Sequence, residues 1–233
     1  MAPTHHQPRF FFRRAGRWAL TLACLTATGC FSQFEEYRQV AVPMRPAGAE
    51  SIPEGPPPEV FPLLPGARFD YEARFGLGAD LFSGEAIVSV LDAWQTGGQQ
   101  EQQLSVVSRY FGQERREVYR FVRTPDRIGL YEKHPPDQIT FFLPTTLAVG
   151  QRWPVVTGEG PGEAWVEAKE AVRVPAGAFP EAWRVRYLNP GAKTDVTLWL
   201  APAVGLVQAD VAMQVNVLPL RGRLKLRERA PAL

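Results

Sequence analysis

Alternation constrains this chain more than any other feature. In Arg68-Phe69-Asp70-Tyr71-Glu72-Ala73-Arg74-Phe75 the apolar residues occupy every second position and the polar ones fall between them. Strand side chains point alternately to opposite faces, so this spacing predicts a half-buried strand; a helical stripe would recur every three to four residues. Runs at 86–91 and 102–111 flank the hairpin signal Gly97-Gly98, alternation returns at 118–123, and strands at 129–133 and 139–143 follow, all bounded by Gly, Pro, Asn and Asp. Further runs at 165–174, 183–188, 196–200, 206–217 and 224–227 bring the total to about eleven strands. The one helical competitor, 163–174, is rich in Ala and Glu, but Pro161-Gly162 and Pro175-Ala176-Gly177 flank it and favour a strand. Twenty-two prolines and 20 glycines suit a turn-rich all-β chain.

An antiparallel sheet this long must curl, close or cover its edges. The expectation for residues 60–233 is a strongly curved antiparallel sheet or an open β-barrel of about 10–11 strands. Ala86-Ile87-Val88-Ser89-Val90-Leu91 is apolar on both faces, as suits a central strand covered on both sides.

Residues 30–59 read differently. Met44-Arg45-Pro46-Ala47-Gly48-Ala49 and Pro53-Glu54-Gly55-Pro56-Pro57-Pro58 show no usable periodicity. Such a composition buries too little to offset its ordering entropy, and its prolines favour extended backbone. The expectation is a flexible tether, which at ~3.1 Å per residue reaches at most about 90 Å.

Residues 1–29 have the build of an export signal. Arg9, Arg13, Arg14 and Arg17 form a basic start, and Trp18–Thr28 an apolar run too short to span a bilayer. Thr26-Ala27-Thr28-Gly29-Cys30 resembles the lipobox of bacterial lipoproteins, with Ala27 where Leu is commonest. That resemblance implies cleavage before Cys30 and acylation of its thiol and new amine. Two or more acyl chains give stable anchoring, at about 0.8 kcal/mol per buried methylene. The expected location is the cell envelope, anchored by lipid, in the outer membrane if the host has two membranes.

Charge and cysteine content narrow the rest. The net charge of +2 includes the four arginines of the first 29 residues, which hold no acid; the remainder has 22 basic against 24 acidic residues. No basic footprint for nucleic acid remains. Cys24 lies within the apolar run and Cys30 ends it, so the mature chain has no internal disulfide and rests on its packed core.

Catalytic chemistry finds no foothold in the sequence. His134 is the lone histidine after the cut, set in Glu132-Lys133-His134-Pro135-Pro136-Asp137. No Gly-x-Ser-x-Gly elbow accompanies it, and Glu132, His134 and Asp137 lack a second cluster of metal ligands. The acids Asp70, Glu72, Asp92, Glu114 and Glu117 fall on polar strand faces, where solvation is expected rather than paired acid–base work. Gly158-Glu159-Gly160-Pro161-Gly162 lacks the Lys and the helix of a phosphate loop. The expectation is a protein without cofactor or catalytic residues.

Four segments resemble an uncharacterised family of bacterial lipoproteins and secreted β-proteins, in the style of the DUF3108-type proteins. They are Phe61-Pro62-Leu63-Leu64-Pro65-Gly66-Ala67-Arg68-Phe69-Asp70-Tyr71, Leu147-Ala148-Val149-Gly150-Gln151-Arg152-Trp153, Val174-Pro175-Ala176-Gly177-Ala178-Phe179, and Trp199-Leu200-Ala201-Pro202-Ala203-Val204-Gly205-Leu206-Val207. In the last, Ala203 stands where the family pattern has Gly. The resemblance implies a curved sheet like that of the LolA/LolB carriers and brings no established activity. Physically, Pro175-Ala176-Gly177 and Gly205 read as turn elements, and Trp153 and Trp199 as core packing.

Two roles are compatible with these features. One is a lipid-anchored, non-enzymatic binding or carrier module for an apolar or amphipathic ligand. The other is an assembly lipoprotein that docks on another envelope protein through an edge strand.

Overall fold

The computed structural model describes residues 45–46, 48–51, 64–77, 82–110, 112–131, 139–157, 160–215 and 218–230. They form strands β1 (Glu50–Ser51), β2 (Arg68–Leu77), β3 (Phe82–Thr96), β4 (Gln99–Tyr110), β5 (Gln113–Arg123), β6 (Arg127–Tyr131) and β7 (Ile139–Pro144), then β8 (Arg152–Thr157), β9 (Gly160–Val174), β10 (Gly177–Asn189), β11 (Thr194–Ala201), β12 (Gly205–Val215) and β13 (Leu218–Ala230). There is no helix among the described residues, and the 163–174 segment is strand, within a β9 that also takes in Pro161 and Gly162 and ends at the turn Pro175-Ala176.

Twelve strands form one antiparallel sheet in the order β7-β6-β5-β4-β3-β2-β13-β12-β11-β10-β9-β8. Consecutive hairpins build each half, and β13 returns to pair with β2 from Leu220↔Leu77 to Ala230↔Arg68. The two ends of this path, β7 and β8, meet side by side without a ladder, so the barrel is nearly but not fully closed. Bulges at 90–92 in the β3–β4 pair and at 179–182 and 184–185 in the β9–β10 pair add the curvature that a barrel needs. The tip of the β9–β10 hairpin bends far enough for Ala176 N–H to donate to Leu226 O on β13, at 3.0 Å.

Two strands lie outside the sequence expectation. β8 contains Pro154, which lowers strand propensity in any linear reading, and it is an edge strand, where a missing N–H is tolerated. β1 falls inside the stretch read as a tether. Glu50 and Ser51 pair with Gln95 and Trp94, because the end of β3 beyond its bulge offers a free edge there.

The barrel is a duplicated six-stranded plan. Gly66-Ala67-Arg68-Phe69 enters β2 as Gly150-Gln151-Arg152-Trp153 enters β8. Gly66 and Gly150 have φ of 83° and 84°, a conformation that costs residues with a Cβ. Each turn then bonds the long strand that follows. Gly66 N–H donates to Val90 O and Val90 N–H to Ala67 O; Gly150 N–H donates to Val166 O and Val166 N–H to Gln151 O. Gly84-Glu85-Ala86 in β3 is repeated as Gly162-Glu163-Ala164 in β9. Both glycines face a tyrosine of the next strand. A Cβ on Gly84 would sit 2.7 Å from Arg109 O and overlap the Tyr110 ring; one on Gly162 would sit 2.8 Å from Leu188 O and 2.6 Å from the Tyr187 ring.

The inner face carries one continuous core drawn from both halves, including Phe69, Tyr71, Leu104, Val106, Val166, Val185, Leu200, Leu224 and Leu226. Tyr71 Oη donates to Leu206 O at 3.0 Å, and burial pushes its phenol above the ordinary tyrosine range. β4 is buried on both faces from Glu101 to Ser108, and Ala86, Ile87 and Val90 of its neighbour β3 are buried as well. Trp153 and Trp199 pack against the core, and β12 begins at Gly205, with φ of 88°.

Candidate functional site at the barrel seam

The seam between β7 and β8 is where the ring of backbone hydrogen bonds is interrupted. Among the described residues β7 pairs with β6 and β8 with β9, with no ladder between them, and two side chains bridge the gap. Trp153 Nε1 donates to Phe142 O at 3.0 Å, and Thr140 Oγ1 donates to Val156 O at 3.4 Å. A proline sits in each edge, Pro144 and Pro154, and removes a ladder donor from it.

The seam is apolar. β7, Ile-Thr-Phe-Phe-Leu-Pro, carries no charge, and Arg152 is the one charge in β8. Phe142 packs edge-on against Phe121, with ring centroids 5.9 Å apart, and both it and Trp153 lie against the core. Ile128, Leu130, Leu143 and Leu147 are buried core residues of the strands and loop beside the seam. Val156 is 62% exposed on the outside. An apolar or amphipathic chain entering here would meet aromatic faces first and the apolar interior next, without displacing a backbone ladder.

The outer faces of the two halves differ. On β4 and β5, Glu101 is buried and ion-paired with Arg120, whose guanidinium lies 4.2 Å from the centre of the Tyr131 ring. Trp94 packs there too, almost wholly buried. On β10 and β11, Arg186 makes a two-pronged contact with Asp195, at 2.7 and 2.9 Å, on a half-exposed face. The neighbouring Arg184 contacts Glu170, which also accepts from Trp199 Nε1 at 2.9 Å. Charged outer faces of this kind do not make the apolar band of a transmembrane barrel. No helix among the described residues is long and apolar enough to cross a membrane.

Of the residues singled out in the sequence, Cys30 and His134 lie outside the described residues. Asp70, Glu114 and Glu117 are ion-paired with Arg68, Arg109 and Arg115, and Asp92 accepts from the N–H of Ala93. Asp70 departs from the solvated face expected for it. It is 8% exposed, and the Arg68 fork at 2.7 and 3.0 Å supplies the charge-assisted bonds that make its burial tolerable. Among the described residues no three His, Cys, Asp or Glu side chains converge as a metal site.

No family model matches the chain, so the resemblance to the DUF3108-type proteins rests on the short motifs alone, and no curated protein matches it. Two solved structures are similar in architecture. One is a candidate exported protein with a YmcC-like fold from Bacteroides fragilis, with a TM-score of 0.49 and 14% identity over 74% of this chain and 99% of that one. The other is a candidate lipoprotein from Parabacteroides distasonis, with a TM-score of 0.47 and 16% identity over 76% of this chain and 100% of that one.

Proposed function

We propose that the protein is an exported envelope lipoprotein, anchored through acylated Cys30, whose barrel binds an apolar or amphipathic ligand through the β7–β8 seam and catalyses no reaction. One observation carries the reading. A barrel with a continuous apolar interior is left open at a single joint, and that joint is lined by Phe142 and Trp153 and bridged by two side-chain hydrogen bonds. Parting it breaks few interactions, whereas opening any other joint breaks a ladder.

The same edges bear on a second reading, docking of an envelope protein by strand addition. Pro144 and Pro154 work against it, because each interrupts the row of donors that an added strand would use. The ligand reading is therefore preferred.

The test uses the chain from Arg45 onward, which retains β1. Incubated with an extract of its native envelope and repurified, it should take up one class of lipid-like molecule, identified by mass spectrometry after organic extraction. A chain that is consistently empty and also fails to bind a dansyl-labelled fatty acid would overturn the proposal.

A further inference from the structure

The turns at one end of the barrel differ from the strands they join. This end comprises 64–67, 97–98, 124–126, 145–151, 175–176 and 202–204. Strand register puts these turns at one end, the tips at 97–98 and 175–176 reaching further along their strands, since Gly66 bonds Val90 and Gly150 bonds Val166. Gln100 pairs with Arg123, Arg127 with Pro144, and Arg68 with Ala230, while Ala176 bonds Leu226. Asp126 is the one charged residue in the six turns. Leu64 and Val149, at equivalent turns of the two halves, are 43% and 60% exposed, and Pro65, Ala148, Pro175, Ala176 and Pro202 are exposed beside them.

Immediately behind these turns stand arginines: Arg68, Arg123, Arg127, Arg152, Arg173 and Arg229. Arg68, Arg127 and Arg152 are paired with carboxylates. Arg123, Arg173 and Arg229 make no ion pair among the described residues, and Nη1 of Arg123 is buried without a hydrogen-bond partner.

The chain also enters from this end. β1 runs antiparallel to β3, with Glu50 opposite Gln95 next to the Gly97-Gly98 tip and Ser51 one step up the strand. β1 therefore starts at the tip end and runs up β3. Cys30 is twenty residues upstream of Glu50, a span of at most about 70 Å when fully extended.

We infer that this rim rests on an anionic bilayer surface, with Leu64 and Val149 entering the interface and the exposed, unpaired Arg173 and Arg229 meeting lipid phosphates. Apolar tips backed by cations are the arrangement that interfacial binding selects, since apolar burial and attraction to anionic headgroups add. The inference builds on the anchored-lipoprotein reading, because acylated Cys30 would hold the rim near the membrane. It would also set the barrel upright, with the β7–β8 seam opening along its side.

The experiment removes the anchor, so that the rim is tested alone. The chain from position 30 with Cys30→Ser retains every described residue. It is floated with vesicles of phosphatidylcholine, with and without about one third phosphatidylglycerol. Binding to the anionic vesicles is expected, with little binding to neutral ones. Leu64→Asp with Val149→Asp should weaken it at least tenfold, and Arg173→Gln or Arg229→Gln by about fivefold each. Arg109→Gln at the opposite end should leave it unchanged, and circular dichroism verifies folding of each variant. Equal binding by wild type and the Leu64/Val149 variant, no binding by either, or an equal loss with Arg109→Gln would overturn the inference. Acylation of Cys30 is read separately from the mass of the cell-derived protein. Acylated protein whose rim ignores vesicles sinks the rim and leaves the anchor; an unmodified Cys30 with a binding rim does the reverse.

Discussion

The two halves of the barrel share a plan and are joined twice, in unlike ways. At one joint β13, 13 residues long, pairs with β2 across almost its whole length. At the other, β7 and β8, six residues each and each containing a proline, meet through two side-chain bonds. The repeated turns and glycine contacts make the halves alike inside, so the difference lies in their edges. Long strands without an interrupting proline at their paired positions close a barrel, and short proline-bearing ones leave it ajar. The halves diverge on their outer faces as well. Equivalent strand pairs, β4–β5 and β10–β11, each carry a diagonal acid–arginine pair, but Glu101–Arg120 is buried while Arg186–Asp195 is half-exposed.

Burial should decide what those two pairs contribute. Arg120→Ala leaves the Glu101 carboxylate buried and uncompensated and should cost about 3–5 kcal/mol. Arg186→Ala removes a solvent-screened pair and should cost less than about 1 kcal/mol. Urea denaturation of both variants measures the contrast, and equal losses would break it. The glycine contacts test the likeness instead. Gly84→Ala and Gly162→Ala should each lose about 1–3 kcal/mol, because the new methyl meets a backbone carbonyl that cannot step aside. A large loss at one site and none at the other would mean that the repeat is not carried into the packing.

The smallest effect concerns equivalent three-residue turns. In the first half Thr124-Pro125-Asp126 is tied by Thr124 Oγ1 to Asp126 at 2.8 Å, a bond that holds the Asp126 carboxyl below its usual range. Its counterpart Pro202-Ala203-Val204 holds Ala203 at φ of 57°. Relieving that strain should slightly outweigh the added chain entropy, so Ala203→Gly should gain about 0.5 kcal/mol and raise Tm by a degree or two. A lower Tm would show that the turn is not strained.

That last position was legible in the sequence, where Ala203 stood in a glycine's place. So were the all-β class and the β3–β4 hairpin, because period two and turn chemistry are local signals; of the run Ala86–Leu91, read as covered on both faces, Ala86, Ile87 and Val90 are buried while Leu91 is 46% exposed. The rest depends on register. β8 was hidden by Pro154, whose cost vanishes only at an edge. β1 was hidden because two residues gain strand character only from the edge they meet. The repeat is not legible in the sequence because its two markers, Gly-x-Arg-aromatic and Gly-Glu-Ala, are spaced unequally in the halves. The Glu101–Arg120 pair and the seam arise from contacts between strands distant in sequence, which no linear pattern encodes. The reading of Cys30 as a lipidated residue falls outside the described residues.

The seam is the point on which the functional account turns. Thr140→Cys with Val156→Cys, in the chain from Arg45 onward, places two thiols across it in a background that holds no other cysteine. Uptake and release of the dansyl-labelled fatty acid are followed by fluorescence before and after a short bismaleimide joins them. The account predicts exchange within minutes in the free protein and none over hours in the joined one. Equal exchange rates in the two forms would contradict it.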